Sequence, residues 1–215
     1  TVLDRKHKTL TLARDPFGIK PLYYSLNDMG FAFSSEIPAL LKLLPEKPRL
    51  NRGRAFKYLL QGDYDIGEET FYADINQIPP SHIMKIRLED LNIECLKRWW
   101  WPPILERTDF DFQDAALLLR EMFLKNVTQH LRSDVPVGAA LSGGIDSSAV
   151  VCAMRKLEPD MPINSFSFVM PGGKANEERW IDIINAHVAA ISSKVKINSK
   201  ELASDIDEVI LYQGE

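Results

Sequence analysis

Long apolar runs and paired cysteines are both missing from this 215-residue sequence. No stretch approaches the roughly 18 consecutive apolar residues that a membrane-spanning helix requires. Cys95 and Cys152 are too few for a disulfide framework, which favours free thiols in a reducing compartment. The chain opens with charged residues at 4–6 rather than with the apolar core of a signal peptide. These absences together predict a cytoplasmic protein.

The sequence also lacks an excess of charge of either sign. Its 26 Lys and Arg residues and 30 Asp and Glu residues give a formal net charge of −4. Such a balance provides no general attraction to nucleic acid or to anionic lipid. The four histidines share no spacing with each other or with cysteine that would indicate a set of metal ligands. We therefore expect small-molecule partners rather than nucleic acid or membrane, and leave a homodimer open.

The first half of the chain has the pattern of strands and turns. Alternating apolar residues predict short strands, among them an edge strand at 83–88 that pairs with 93–96. A helix over 36–44 is expected to start at Ser34 or Ser35 as its cap. A second short helix should end at a glycine. This half is therefore expected to be α+β with a mainly antiparallel sheet.

The sequence Trp-Trp-Trp-Pro-Pro at 99–103 marks a change of pattern. Prolines disfavour both a continuing helix and a central strand, so we place a domain boundary here. The expected organisation is a first domain at 1–98, a linker at 99–111 and a second domain at 112–215.

The second half alternates between helices and strands. Asp111 is expected to cap a helix whose apolar stripe lies at spacings of three and four residues. Residues 135–141 predict an apolar strand buried on both faces, and 163–169 and 195–197 predict two more. A last helix should follow, with the apolar residues of 202–210 facing inward. This alternation predicts a doubly wound parallel sheet.

The turn after the first of these strands carries the sequence Leu-Ser-Gly-Gly-Ile-Asp-Ser-Ser at 141–148. Ligands of such a sheet bind where strands end and helices begin. Gly143 and Gly144 let the backbone turn sharply and approach a ligand closely. Unpaired N–H groups at the start of the following helix favour a phosphate, and Ser142 and Ser147 add hydroxyl groups. The turn is therefore a candidate nucleotide loop.

Asp146 lies within this loop, although a carboxylate repels phosphate. Its presence is explained if a divalent cation bridges the two, and Mg²⁺ is the cation that prefers oxygen ligands. No lysine follows the glycines, which excludes a P-loop, and a G-x-G-x-x-G pattern is absent. The alternative is a glycine pair that serves tight packing only; the hydroxyls and the carboxylate at this position favour the nucleotide site.

The motif Ser-Gly-Gly-x-Asp-Ser-Ser resembles the loop of the ATP pyrophosphatase superfamily. Residues 133–148 as a whole resemble the corresponding stretch of glutamine-hydrolysing asparagine synthetases. Residues 13–24 and 31–36 resemble late strands of that family's class II glutaminase domain. Residues 70–82 resemble the segment that follows, with Ser81 where glycine is usual. The resemblance covers almost the whole chain, with two separate motifs in the family's order.

This resemblance implies two joined domains, present as an internal fragment of a longer enzyme. The first is the carboxyl-terminal part of an Ntn-type glutaminase, which is α+β. The second is the beginning of a Rossmann-like ATP pyrophosphatase domain with a doubly wound α/β sheet. The family's amino-terminal cysteine nucleophile and its later Ser-Gly-x-Gly-x-Asp-Glu segment would lie outside these residues, so we expect no catalytic residue in the fragment.

The resemblance also implies a reaction with ATP, aspartate and glutamine as substrates. Glutamine is hydrolysed in the first domain, and the second domain converts aspartate and Mg-ATP into aspartyl-AMP and pyrophosphate. Ammonia then displaces AMP to give asparagine. By this resemblance the pyrophosphate and its Mg²⁺ are held by Ser142, Gly143, Gly144, Asp146 and Ser147, with Asp146 as metal ligand. The backbones of Leu141 and Phe168 would flank the adenosine.

Two alternatives remain open on the sequence. One is a related amide-forming enzyme that acts on another carboxylate, such as a β-lactam synthetase or a peptide-maturation enzyme. The other is a non-catalytic nucleotide-binding remnant of the same fold. The residues quoted above do not separate these alternatives.

Overall fold

The computed structural model describes residues 1–46, 48–63, 67–104, 111–169, 177–196 and 199–213, without the side chains of 199–204 and 213. The strands are β1 Val2–Asp4, β2 Thr9–Ala13, β3 Tyr23–Asn27, β4 Gly30–Ser34, β5 Asn76–Gln77, β6 His82–Arg87, β7 Ile93–Arg98, β8 Gly138–Ala140, β9 Asn164–Val169 and β10 Ile191–Lys196. The helices are α1 Ile37–Leu41, α2 Arg52–Gln61, α3 Phe112–His130, α4 Ile145–Leu157, α5 Glu178–Val188 and α6 Ser199–Gln213.

The chain divides into two compact units, Thr1–Ile104 with Ile206–Glu215 and Leu105–Asp205. The first contains two antiparallel sheets, in the strand orders β1-β2-β6-β7 and β4-β3-β5. The α+β character expected for this half of the chain is therefore confirmed. The expectation that 83–88 forms an edge strand is wrong, because β6 pairs with β2 on one side and β7 on the other.

The core of the larger antiparallel sheet explains the position of β6. Met84 and Ile86 alternate along the strand and are completely buried, together with Leu12 of β2. A strand whose alternate residues fill one core can still accept ladder partners on both edges, because hydrogen bonds and side chains project in perpendicular directions. The alternation therefore identified the strand, but not its place in the sheet.

Capping determines where the two helices of the first unit begin and end. Asn51 caps α2 by accepting the Arg54 N–H at 3.1 Å, and Gly62 ends it in the left-handed conformation at φ 69°, as the glycine signal predicts. The predicted serine cap of α1 is wrong. Ser34 belongs to β4, and its Oγ accepts from the Glu36 N–H, so the helix starts only at Ile37.

The second unit contains a parallel sheet in the order β10-β9-β8. The strand predicted at 135–141 is shorter than expected and is not buried on both faces. Within the described part of the chain only Gly138–Ala140 pairs, along β9 alone, and Val135 is exposed. Pro136 has no N–H to donate, so the ladder cannot extend back toward Val135 without losing a hydrogen bond.

Helices α3, α4 and α5 cover one side of this sheet. Contacts join α3 to α4 and α4 to α5, and α4 and α5 also contact β8 and β9. The buried core beneath them is formed by Val127, Leu141, Val151, Ala153, Met154, Ile163, Val169, Ile181 and Val188. The opposite face carries Phe166 and Phe168, both about half exposed. The parallel α/β arrangement is thus present, and the doubly wound form stays a prediction.

The apolar stripes of two helices are only partly buried. The Asp111 cap of α3 is confirmed, since its side chain accepts from the Asp114 N–H, but Leu119 in the first half of this helix is exposed. In α6, Ile206 and Ile210 are exposed rather than inward-facing. Periodicity locates an apolar face without saying whether a neighbour covers it. None of the described helices has both the length and the apolar character needed to cross a bilayer.

Candidate functional site

The turn from β8 to α4 is tied into the sheet at one end and opens a helix at the other. Leu141 is buried, and its N–H donates to the Phe166 carbonyl of β9 at 2.9 Å. Gly144 is the N-cap of α4, and no side-chain hydrogen bond caps this helix. The first helical bond runs from the Ser148 N–H to the Gly144 carbonyl at 3.1 Å. The N–H groups of 145–147 therefore have no partner within the helix and carry its positive dipole end.

Two serine side chains hold the loop closed on itself. The Ser147 hydroxyl donates to the Gly144 carbonyl at 3.2 Å, and its Oγ accepts the Ser142 N–H at 3.2 Å. The Ser142 Oγ lies 3.0 Å from the Ser147 Oγ and accepts the Gly144 N–H at 3.3 Å. These bonds place both hydroxyls beside the start of α4. A ligand oxygen at this point would meet donors whose positions are already fixed.

Gly143 lies against the start of α5, which sequence reasoning did not connect with the loop. Its φ of +87° is in the region that favours glycine. A Cβ at this position would lie 3.1 Å from the Glu177 carbonyl oxygen and 3.3 Å from the Trp180 Cβ. The loop therefore packs beside the amino terminus of a second helix. The glycine spacing gives no sign of this contact, because Glu177 and Trp180 are more than 30 positions away in the sequence.

The acidic residue at the start of α5 has a cationic partner. Lys194 lies 2.6 Å from Asp182 and 2.9 Å from Glu178. The hydrogen bonds that the Lys194 ammonium donates to Asp182 and then to Glu178 raise its pKa above the ordinary value. The sequence favours Asn176 as the cap of this helix. Asn176 lies outside the described residues, and α5 begins after Glu177. Because Lys194 balances the Glu178 charge, the repulsion of a nearby anion is reduced.

Asp146 is in the first turn of α4 and is exposed. Its place beside the helix amino terminus is favourable for a carboxylate even without a ligand. Among the residues that the structure describes, no group of three or more His, Cys, Asp or Glu side chains could hold a metal ion. Any cation at Asp146 would therefore need further ligands from a bound anion or water.

The sheet register places Phe168 at the same edge as the loop. Ala140 pairs with Phe166, so counting two residues further puts Phe168 level with Ser142. Phe168 also pairs with Val195 of β10, and its side chain is 51% exposed. The predicted nucleotide residues, Leu141, Ser142, Gly143, Gly144, Asp146, Ser147 and Phe168, thus all lie at the carboxyl edge of the parallel sheet. Their contact with a nucleotide stays a prediction.

The turn of the first unit that contains Arg14 and Asp15 is braced by the side chains of both residues. Arg14 is 4% exposed and donates to the Gln77 side chain at 2.9 Å. Burial raises the pKa of the Asp15 carboxyl, but the N–H groups of Lys20, Ile19 and Phe17 outweigh this, so its pKa lies below the ordinary value. Both side chains are occupied in bracing the turn.

Comparison with known proteins adds independent evidence. The family model described as glutamine amidotransferase domain matches residues 1–100, and the one described as asparagine synthase matches residues 118–215. The chain is 30% identical to glutamine-hydrolyzing asparagine synthetase 3 of Bacillus subtilis, over 99% of the chain and 36% of that protein. It is 30% identical to a putative glutamine-hydrolyzing asparagine synthetase of Methanocaldococcus jannaschii, over 85% of the chain and 35% of that protein.

A further relative is glutamine-hydrolyzing asparagine synthetase 1 of Bacillus subtilis, 29% identical over 93% of the chain and 30% of that protein. The chain therefore spans about a third of the length of the curated relatives it matches. The two domain matches follow one another in a single chain, and the similarity to these relatives runs through both. The chain belongs to the glutamine-hydrolysing asparagine synthetase family.

Proposed function

We propose that the protein to which this chain belongs is a glutamine-hydrolysing asparagine synthase of the cytoplasm. It would form aspartyl-AMP and pyrophosphate from aspartate and ATP, and then amidate the aspartyl group with ammonia from glutamine. The observation that carries this proposal is the convergence of the Ser142–Ser147 loop with the start of α5 at the carboxyl edge of the parallel sheet. A match to a glutamine amidotransferase domain precedes it in the chain and fits an ammonia-using ligase.

The loop fits the polyphosphate of ATP. Gly143 has no side chain to project between the loop and α5, and the N–H groups of 145–147 are not used within α4. The hydroxyls of Ser142 and Ser147 are held beside them. Such donors would orient the α- and β-phosphates so that a carboxylate can approach the α-phosphorus. They would also stabilise the negative charge that builds up on the departing pyrophosphate.

The proposed adenosine contacts are the backbones of Leu141 and Phe168. Leu141 is anchored by its bond to β9, so its carbonyl is held in a defined position at the strand end. Phe168 is level with the loop on the neighbouring strand. Two backbones at the ends of adjacent strands offer a donor and an acceptor that could recognise the edge of a purine.

Mg²⁺ is the cation we propose at Asp146. Bound there, it would supply positive charge to the pyrophosphate leaving group. The Asp146 carboxylate is exposed beside the loop, where it could reach a cation that a phosphate also binds. The absence of a ready-made ligand cluster among the described residues agrees with a cation that arrives together with the nucleotide.

The rival proposal is an enzyme with the same two domains that amidates a different carboxylate. The loop would act identically in both, since by this proposal it would contact only the nucleotide. A nucleotide-binding remnant without activity is the other rival. Discrimination therefore depends on which acid stimulates the consumption of ATP.

The test is pyrophosphate release by the protein expressed from its complete gene. We expect release from ATP that requires aspartate and ammonia or glutamine, with asparagine formed in equal amount. Release that responds to another carboxylic acid but not to aspartate would favour the rival enzyme. ATP binding without pyrophosphate release under any of these conditions would refute the enzymatic proposal.

A further inference from the structure

A small cavity belongs to the first unit, whereas the nucleotide loop belongs to the second, and the proposed reaction does not use this cavity. It has a volume of about 210 Å³ and lies among α2, β3, β5 and the turn after β2. The residues that line it include Arg14, Arg54, Glu69, Thr70, Phe71 and Gln77. Cavities for drug-sized ligands occupy roughly 300–1,000 Å³, so this one suits a smaller molecule.

Arg54 is the exceptional member of this lining. Its side chain projects from the first turn of α2, and the residue is only 3% exposed. The guanidinium carbon lies 5.9 Å from the centre of the Phe71 ring. Within the part of the chain that the structure describes, its guanidinium makes no hydrogen bond or ion pair. A buried cation without a carboxylate partner is costly, because burial removes its hydration.

The other arginine of the cavity provides the contrast. The Arg14 guanidinium donates to the carbonyls of Lys20 at 3.1 Å, Ile78 at 2.8 Å and Gly18 at 3.0 Å. It also donates to the Gln77 Oε1 at 2.9 Å. Its donors are therefore occupied by the fold itself, whereas the fork of five N–H groups on Arg54 is left for a ligand.

The remaining polar groups of the lining are also occupied. The Thr70 hydroxyl oxygen is bonded to the carbonyls of Tyr72 and Ile75, and the Gln77 Nε2 donates to the Gly67 carbonyl at 3.1 Å. Among the lining residues that the structure describes, Glu69 is the one carboxylate, and Lys57 lies 3.6 Å from it. The chemistry that the cavity offers is thus one guanidinium on the wall, an aromatic ring and little else that is unpaired.

We propose that this cavity binds a small monocarboxylate through the Arg54 guanidinium. A carboxylate matches the planar fork with two parallel hydrogen bonds, and its single charge balances that of Arg54. A doubly charged phosphate fits less well, because the donors of Arg14 are occupied and Glu69 would repel the second charge. The short apolar part of the ligand would lie against Phe71.

The test is a titration of the full chain with sodium acetate, observed through the Arg54 Nε–Hε resonance in nitrogen-15 NMR spectra. Sodium chloride at the same ionic strength serves as reference. We expect a saturable downfield shift with acetate, and Arg54→Met should abolish the saturable response of the other cavity signals. Arg52→Met is the matched control, since Arg52 is exposed on the same helix turn and should leave the titration unchanged.

Three outcomes would overturn the proposal: an equal response to acetate and chloride, an unchanged acetate response in Arg54→Met, or loss of the response in Arg52→Met alone. Should Arg54→Met fail to fold, acetamide replaces the variant, because it has the shape of acetate without the charge. Acetamide that shifts the Arg54 resonance as acetate does would refute a carboxylate site. None of these measurements involves ATP, so the result is independent of the proposed synthase activity.

Discussion

The Oγ atoms of Ser142 and Ser147 lie 3.0 Å apart, across the turn that joins the parallel sheet to α4. This contact spans the two glycines and closes the loop before any ligand is bound. A loop that is already closed loses little conformational freedom when a polyphosphate arrives. Its donors need not be reoriented, which is the condition under which fixed dipoles stabilise charge most effectively.

Ser147→Ala should weaken the use of ATP by the protein expressed from its complete gene. The substitution removes the bonds of Ser147 to the Ser142 N–H and to the Gly144 carbonyl, so the loop loses its closure. We expect KM for ATP to rise about tenfold, which corresponds to roughly 1.4 kcal/mol. Steady-state pyrophosphate release measures this. Ser193→Ala, at an exposed position of β10, is the control, and an equal effect in both variants would contradict the prediction.

Gly143→Ala should be more harmful than the same change at Gly62. Both glycines have positive φ, so each substitution incurs a backbone penalty of about 1–2 kcal/mol. At Gly62 a Cβ meets nothing within 4 Å, whereas at Gly143 it lies 3.1 Å from the Glu177 carbonyl oxygen. We therefore expect Gly143→Ala alone to displace α5 and to abolish ATP binding, as measured by calorimetry. Intact ATP binding in Gly143→Ala would show that the close packing is unimportant.

The sequence was sufficient to locate the loop, but not to predict what surrounds it. Adjacent glycines, two serines and an aspartate between a strand and a helix are local signals, and the structure has the strand–turn–helix in that place. The contact of Gly143 with Glu177 depends on how two helices cross the same sheet, and no local spacing encodes this distance. Long-range packing of this kind is set by the whole fold.

The differences in the fold have a similar origin. Gly62 acts within one helix turn of the end that it fixes, and the end of α2 at a glycine was predicted correctly. The strand at 135–141 was predicted too long. Apolar composition does not reveal that, among the described strands, β9 alone pairs with it and does so over three residues. Leu119 continues the stripe of α3 yet is 68% exposed, since burial requires a neighbour that periodicity cannot supply.

Asp15→Asn should reduce stability at neutral pH and have little effect in acid. The pKa of Asp15 in the folded protein lies below its ordinary value of about 3.9, because the N–H donors of its turn favour the charged form. The stability that the Asp15 carboxylate contributes is therefore fully present above about pH 4. It is lost as the pH falls through the lower pKa that Asp15 has in the folded protein. We expect a loss of no more than about 1 kcal/mol at pH 7, given the contact of this turn with solvent.

Urea unfolding of wild type and Asp15→Asn between pH 7 and pH 3 measures this difference. The gap between the two unfolding free energies should shrink as the pH is lowered. A gap that is the same at both ends of the range would mean that the charge of the carboxylate has no part in bracing the turn.

Asp146→Ala should abolish pyrophosphate release while leaving glutamine hydrolysis intact. The carboxylate lies beside the loop for which we propose ATP binding, where it would repel ATP if no cation intervened. Removing it should therefore improve binding of metal-free ATP, but remove the proposed site at which Mg²⁺ would join the nucleotide. Binding of metal-free ATP should thus improve while pyrophosphate release is lost. A residue that only stabilises the start of α4 would not produce these opposite effects, whereas a metal ligand would.

Calorimetry with ATP in the presence of chelator, together with assays of pyrophosphate and glutamate, measures both effects on the protein from the complete gene. Asp160→Ala is the matched control, because Asp160 is exposed just beyond the opposite end of α4. Unchanged pyrophosphate release in Asp146→Ala would refute the metal role. Weaker binding of ATP both with and without Mg²⁺ would instead assign Asp146 to the structure of the loop, since a carboxylate that only repels the nucleotide cannot strengthen its binding by being present.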